Sequence, residues 1–337
     1  MTQKIYFNGF GYYVPSKILA NTDMQHFADT NDEWIRARTG IIERHIAAPG
    51  ECNSDMSVQA SKMALSSVGM DASEITAILC ATATPDSIVP STATRVQQKL
   101  GIQQVMAFDF NAACSGFIYG LQIAQGLLEV NPESKILLIG SEILTSRINW
   151  QDRSTSVLFG DGVGAVIMST KKYAPQNPTL FSPNALLEGV LCSADGSVGD
   201  LLVADGGCSG HPYELGDKVG AEFFIKMNGR EIYKHAVRNM PEICNRLMDG
   251  LGYTIQDIDV LIPHQANLRI IEAVGERLHM PAEKVFINIH KYGNTSAASI
   301  PLALGEALEQ QFIKPGMRAL LVTFGGGITW GAAILKF

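Results

Sequence analysis

The chain has 337 residues, of which 46% are hydrophobic and 18% charged, and its net charge is −7 with 26 Lys plus Arg. That length exceeds one ordinary core and sets about two domains as the expectation, while the composition excludes a disordered or low-complexity chain. The acidic balance argues against nucleic acid as a partner, and the apolar runs fall short of the roughly 20 residues a membrane span needs.

In chain order, Gly69-Met70-Asp71 leads through a turn into the apolar run Ala77 to Cys80, which reads as a buried strand. Phe110-Asn111-Ala112-Ala113-Cys114-Ser115-Gly116-Phe117 opens a stretch of helical period from Ser115 to Glu129, and Ile136 to Gly140 reads as the next strand. Phe159-Gly160-Asp161-Gly162 runs into Ala165 to Met168. A Pro-bearing stretch from Tyr173 to Glu188 has no clear period and reads as a linker or excursion, and Asp205 to Gly220 reads as a polar, Gly-rich loop. The pattern then recurs. Gly252 to Pro263 matches Gly69 to Cys80 without a gap, Ala319 to Thr323 is a second apolar strand, and Phe324-Gly325-Gly326-Gly327 runs into Ala332 to Leu335. Three matches in one order predict duplication, with halves at 1–172 and 189–337 flanking the excursion at 173–188. Strands without polar alternation, separated by helical stretches such as Ser296 to Leu308, predict an α/β fold whose two halves share a central helical layer and stack as five layers, αβαβα.

Six cysteines (52, 80, 114, 192, 208 and 244) show no CxxC pair and no metal-type spacing, and no charged-then-apolar leader opens the chain. These features predict reduced thiols in a cytoplasmic protein with no bound metal. Cys114 stands out, because a thiol in the first turn of a helix meets unpaired backbone N–H groups and the positive end of the macrodipole. A lowered pKa is expected there. Two further motifs sit at strand-to-helix junctions: Pro263-His264-Gln265-Ala266-Asn267, and Tyr292-Gly293-Asn294-Thr295-Ser296. Taken singly, Cys114 reads as a buried small residue, His264 as a satisfied core histidine and Asn294 as an N-cap.

Together, in this order, they resemble the β-ketoacyl-acyl-carrier-protein synthase III family of thiolase-fold condensing enzymes. The resemblance runs from Asp32-Glu33-Trp34-Ile35 and Arg38-Thr39-Gly40-Ile41 to Phe324-Gly325-Gly326-Gly327 and Thr329-Trp330-Gly331-Ala332. It implies Cys114, His264 and Asn294 as the catalytic residues. Cys114 would attack an acyl-CoA thioester, with backbone N–H groups of Cys114 and Gly326 as the oxyanion hole. His264 and Asn294 would then stabilise the enolate formed when a malonyl thioester on acyl carrier protein loses carbon dioxide. The expected product is a β-ketoacyl thioester that starts a fatty acid. Coenzyme A enters as substrate, and no separate cofactor is implied.

By the same resemblance Trp34, Arg38 and Arg153 hold CoA, and Lys234, Arg269 and Arg277 are candidates for contact with the acidic carrier. Val89, Tyr233 and Phe324 are assigned to the acyl pocket. Val89 stands where short-primer members often carry a bulky aromatic reaching across a homodimer, which suggests a longer or branched primer, and Tyr233 replaces a Phe. Alternatives are a specialised relative using an unusual acyl-CoA in quinolone or polyketide synthesis, and a silent homologue acting as a binding partner. The retained Cys, His and Asn argue against the silent homologue. A papain-like protease uses the same three residue types, but its signature around Cys is missing. Degradative thiolases carry a second Cys in the C-terminal glycine loop, and this loop has none.

Overall fold

The computed structural model describes residues 3–174 and 184–337. Among them, nine strands join in one hydrogen-bonded sheet. They are β1 (Tyr6–Tyr13), β2 (Ala77–Ala81), β3 (Met106–Phe110), β4 (Ile136–Ile143), β5 (Asp161–Ser169), β6 (Ala185–Ala194), β7 (Val260–Pro263), β8 (Arg318–Gly325) and β9 (Thr329–Lys336). Their spatial order is β7-β8-β9-β6-β1-β5-β4-β2-β3.

The duplication is visible in the register. In the first half β2 runs parallel to β4, pairing Ala77 with Ile136, and β4, β5 and β1 follow antiparallel. In the second half β7 runs parallel to β8, pairing Val260 with Ala319, and β8, β9 and β6 follow antiparallel. The strand β3 extends only the first half. At its place in the second half stands an isolated parallel bridge from Leu261 to Val285. The halves meet where β1 pairs with β6 over Tyr6 to Leu186 and Phe7 to Ala185.

The helices complete the layers. We label α1 (Asp32–Thr39), α2 (Asn53–Val68), α3 (Gly116–Val130), α4 (Gly229–Leu251), α5 (Leu268–Arg277) and α6 (Ser299–Glu309). Two of them, α3 and α6, touch strands of both halves, so they form the central layer. Phe117, Ile118, Leu121 and Leu128 of α3, with Ile300, Ala303 and Leu304 of α6, share one buried cluster with strand residues of both halves. On the outside, α2 covers the first half and α4 the second. The expected five-layer α/β stack is the observed one. Each outer helix ends on a glycine in the left-handed region, Gly69 at φ 61° after α2 and Gly252 at φ 74° after α4, where a side chain would be strained. A 3₁₀ turn and a buried strand follow in both cases, as the repeat predicts.

Two sequence readings need correction. The excursion expected from Tyr173 to Glu188 ends earlier, because Ala185 to Glu188 already belong to β6. Residues 175–183 lie outside the described residues, and on either side Tyr173 and Asn184 exchange two hydrogen bonds. The strand read as ending at Gly140 continues to Ile143, fully buried through Glu142. Hydropathy ended that strand early because Ser141 and Glu142 are polar, although both are inside.

Packing between the halves leaves no room for a methyl group at Gly140, where a Cβ would lie 2.4 Å from the Ala297 carbonyl oxygen. Gly126, on the exposed side of α3, meets nothing within 4 Å. Gly140→Ala should therefore destabilise the fold by about 1–3 kcal/mol. Gly126→Ala should be neutral or stabilise it by about 0.5–1 kcal/mol. Urea unfolding midpoints of the two variants check this, and equal losses would contradict it.

Candidate active site

The two halves present the same local device. In the first, the chain leaves β3 at Phe110, the Asn111 Oδ1 accepts a hydrogen bond from the Ala113 N–H at 2.9 Å, and Ala113 takes φ 46°. A 3₁₀ turn, Ala113–Ser115, then enters α3 at Gly116. In the second, Asn294 Oδ1 accepts from the Ser296 N–H at 2.9 Å, Ser296 takes φ 49°, and the 3₁₀ turn Ser296–Ala298 enters α6. One constant spacing along the chain separates Gly69 from Gly252, Asn111 from Asn294 and Ala113 from Ser296. Positive φ at non-glycine residues is costly and tends to mark functional sites. Here it aims the following side chain, Cys114 in the first half, into the space between the halves. The N-cap reading of Asn294 and the functional one are compatible: the carbonyl oxygen holds the turn and the amide NH₂ is left for the cavity.

The glycine turn between β8 and β9 closes over Cys114. A Cβ on Gly325 would lie 2.8 Å from the Cys114 amide nitrogen, so only glycine fits. The Thr323 hydroxyl donates to the Cys114 carbonyl at 2.8 Å, the Ser115 hydroxyl to Thr329 O at 2.9 Å and the Thr329 hydroxyl to Ala112 O at 2.9 Å. Cys114 is buried, and burial pushes its thiol up to about 11. Hydrogen bonds to the sulfur from the Ser296 side chain and from the Cys114 and Gly326 backbone pull the other way without overcoming burial. The lowered pKa expected from the helix start is thus not found. The long helix begins two residues after Cys114, and desolvation outweighs the local donors.

His264 follows β7, its N–H donating to Val322 O at 2.8 Å. It is buried, both ring nitrogens lack a partner among the described residues, and burial lowers its pKa to about 3. The imidazole is neutral and carries one N–H for an incoming group. Gln265 fixes its loop: the side-chain amide donates to Pro263 O at 2.8 Å and to Phe286 O at 3.2 Å, and its oxygen accepts from the Asn288 and Ile289 N–H groups. The Gln265 N–H donates to the Ser299 hydroxyl at 2.8 Å. Gln265 thereby ties the His264 loop to the segment carrying Asn294. Asn294 is itself pinned, its N–H donating to Leu158 O at 2.8 Å and its carbonyl accepting from the Gly160 N–H at 3.0 Å.

A cavity of about 740 Å³ leads to these residues, lined among others by Trp34, Arg38, Arg153, Tyr233, Lys234 and Arg269 at one end and by His264, Asn294, Phe324 and Cys114 at the other. Trp34 and Arg38 share a face of α1 at i and i+4. The Arg153 guanidinium lies 5.2 Å and that of Arg38 5.9 Å from the indole centroid, within cation–π range. Arg153 also donates to the Asp29 carbonyl at 3.0 Å. Arg269 donates to the Ala37 carbonyl at 2.8 Å and so braces α5 against α1, and Lys234 pairs with Glu231 at 2.7 Å. A second cavity of about 360 Å³ lies on the other side of Cys114, lined by residues including Ala83, Thr84, Leu144, Arg147, Ile225, Ser296 and Gly326.

Tyr233 and Phe324, expected in an acyl pocket, line the larger cavity and not the smaller one, and two predicted site residues line neither. Val89 is 83% exposed and lines neither cavity, so within one chain it does not bound an acyl pocket. Arg277, at the far end of α5 from Arg269, is exposed and away from the mouth. The sequence reading missed Gln265, Ser296 and Glu142. The available signal for Glu142 was a carboxylate two residues past a wholly apolar strand, and for Ser296 its match to Ala113 in the repeat.

Residues 108–182 and 248–337 match the models of 3-oxoacyl-[acyl-carrier-protein] synthase III and of its C-terminal part. The β-ketoacyl-[acyl-carrier-protein] synthase III of Nitratidesulfovibrio vulgaris strain DP4 is 52% identical over 337 residues, covering 100% of both chains. The crystal structure of 3-oxoacyl-[acyl-carrier-protein] synthase III from Aquifex aeolicus VF5 has a TM-score of 0.87 at 42% identity, covering 99% of this chain and 100% of that one. The Thermus thermophilus enzyme has a TM-score of 0.87 at 39% identity, with 98% of each chain covered. Fold and likeness together define a thiolase-fold condensing acyltransferase. The chain belongs to the β-ketoacyl-[acyl-carrier-protein] synthase III family.

The neutral His264 has a consequence for acid stability. The unfolded imidazole takes up a proton near 6.5, whereas the folded one stays neutral down to about 3. Between those values the folded state binds fewer protons, so stability falls as pH drops below 6.5. His264→Asn removes this contribution. The variant's urea midpoint should fall less between pH 7 and pH 5 than that of the wild type, and parallel falls would contradict a buried neutral His264.

Proposed function

We propose that this chain catalyses decarboxylative Claisen condensation of an acyl-CoA primer with malonyl-acyl carrier protein, with Cys114 as nucleophile and His264 and Asn294 as donors to the enolate oxygen. The observation that carries the reading is one cavity joining a basic, aromatic mouth to a buried thiol beside a neutral imidazole and an oriented amide. In the acyl-transfer half, the Cys114 sulfur attacks the thioester carbonyl and coenzyme A leaves as its thiol. The oxyanion faces the N–H groups of Cys114 and Gly326, which are fixed before substrate arrives and cost no reorganisation. In the condensing half, loss of carbon dioxide leaves an enolate whose oxygen needs donors that do not protonate the carbon. A neutral imidazole N–H and an amide NH₂ meet that requirement, because neither is a strong acid. The carbanion then attacks the acyl-Cys carbonyl, giving the β-ketoacyl thioester and returning the sulfur.

Trp34, Arg38 and Arg153 are the groups for the nucleotide end of coenzyme A, where an indole face and guanidinium groups suit adenine and phosphate. Lys234 and Arg269 at the mouth suit an acidic carrier. The cavity of about 360 Å³ beyond Cys114 is our acyl pocket. It exceeds twice the roughly 150 Å³ that admits a benzene-sized group, so a primer larger than acetyl fits. A homodimer is part of this reading. It is supported by exposed apolar residues that a second copy would cover: Ile88 and Val89, 87% and 83% exposed, and the half-exposed Met106 on the edge strand β3. No helix among the described residues is long and apolar enough to cross a membrane.

Acyl-CoAs of graded length, incubated with the protein and followed by intact mass, test the first half-reaction. One acyl addition is expected on the wild type and none on Cys114→Ala, with chains longer than acetyl accepted; failure of every acyl-CoA would refute the proposal. In the second half, His264→Ala or Asn294→Ala should lower malonyl decarboxylation by on the order of 10²–10³-fold while the acyl addition persists. Equal loss of both steps would assign these residues to the wrong half.

A further inference from the structure

The smaller cavity beyond Cys114 offers more polarity than a hydrocarbon primer would use. Most of its wall is aliphatic or glycine, and the hydroxyls in it are already engaged. Those of Thr84 and Ser296 donate to Glu142 at 2.6 and 3.1 Å, and that of Thr329 donates to Ala112 O at 2.9 Å. Two side chains keep free donors. Asn111 accepts from the Ala113 N–H through its carbonyl oxygen, which leaves its amide NH₂ unbonded. Arg147 lines the same wall, and its partly buried side chain donates to no group among the described residues.

The Arg147 guanidinium is held in place without being neutralised. The Arg147 carbonyl accepts from the Ile225 N–H at 2.9 Å, and the guanidinium carbon lies 4.1 Å from the Phe223 ring centroid, a separation that fits flat stacking. Stacking uses a face of the guanidinium and leaves the N–H groups at its edge, whose fork matches a carboxylate. Arg36, Arg95, Arg153 and Arg318 each pair with an acidic side chain, whereas Arg147 pairs with none among the described residues. Residues 1–2 and 175–183 contain no Asp or Glu that could serve instead. A cation partly withdrawn from water and left unpaired is costly, and an anion entering the cavity would relieve that cost.

We propose that the primer carries a carboxylate at the far end of its acyl chain, bound by Arg147 with the Asn111 amide as a second donor. The enzyme then selects an ω-carboxyacyl-CoA over a hydrocarbon acyl-CoA of the same length. The inference rests on the reading of Cys114 as the acylated nucleophile and of this cavity as its acyl pocket. Chemistry at Cys114 is unchanged: the sulfur attacks the thioester carbonyl, coenzyme A leaves as its thiol, and the distal carboxylate takes no part. The condensed product is a β-keto thioester that keeps a carboxylate at its other end.

Cys114 acylation, timed by quenching and intact mass, is compared within chain-matched pairs of CoA thioesters: succinyl with butyryl, glutaryl with valeryl, and adipyl with hexanoyl. The wild type is expected to take the carboxylated member of at least one pair on the order of tenfold faster. Within that pair the ratio of the two rates should fall on the order of ten- to a hundredfold in Arg147→Met, because a carboxylate brought into the cavity then meets no cation. Reading a ratio cancels any general effect of the substitution on the fold or on the thiol. If Arg147→Met does not fold, Arg147→Gln is read in the same way. A hydrocarbon preference in every pair, or a ratio that the substitution leaves unchanged, overturns the proposal while the condensing reading stands. Acylation by none of these thioesters overturns both.

Discussion

The close contact of backbone on backbone where the two halves meet at Cys114 governs the rest of the structure. Gly325 presses against the Cys114 amide, Gly140 against the Ala297 carbonyl, and a Cβ on Gly116 would lie 3.4 Å from that of Ala297. Hydroxyls of Thr323, Ser115 and Thr329 close the remaining polar groups across the seam. Such contacts hold only at a fixed distance, because a protein interior is packed densely and a methyl group more or less is felt. Cys114 from one half is thereby set against His264 and Asn294 from the other with little freedom to drift.

The electrostatics follow from that burial. Basic groups stand at the mouth of the larger cavity, on Arg38, Arg153, Lys234 and Arg269, while its inner end offers neutral donors, an uncharged imidazole and a side-chain amide. In a dry site these dipoles act on transient negative charge far more strongly than they would in water. Burial leaves a resting thiol that stays protonated.

Much of the fold was legible in the sequence because duplication leaves marks that survive divergence. Glycines at φ 61° and 74° after α2 and α4 occupy matching places since no other residue enters that conformation cheaply. Cys114, His264 and Asn294 were legible as a set, because their motifs stand in one family order, although each alone reads as an ordinary buried residue or cap. What stayed hidden depends on tertiary surroundings. The thiol's raised pKa comes from desolvation by both halves, which no local motif carries. Glu142 was lost because a buried polar residue ends a hydropathy run early, and Val89 was placed in a pocket that one chain does not build. The matched Asx turns at Asn111 and Asn294 could have been read from the repeat, but only the hydrogen bonds reveal that the two turns are the same structure.

The measurement that bears most directly on this account is a single turnover. Enzyme acylated on Cys114 and freed of coenzyme A is mixed with malonyl-acyl carrier protein, and the acyl mass on the protein, released carbon dioxide and β-ketoacyl product are followed together. The account predicts that all three change in step, one product and one carbon dioxide per acyl group lost. Loss of the acyl group by hydrolysis alone, or decarboxylation without carbon–carbon bond formation, would contradict the claim that the two halves assemble one condensing site.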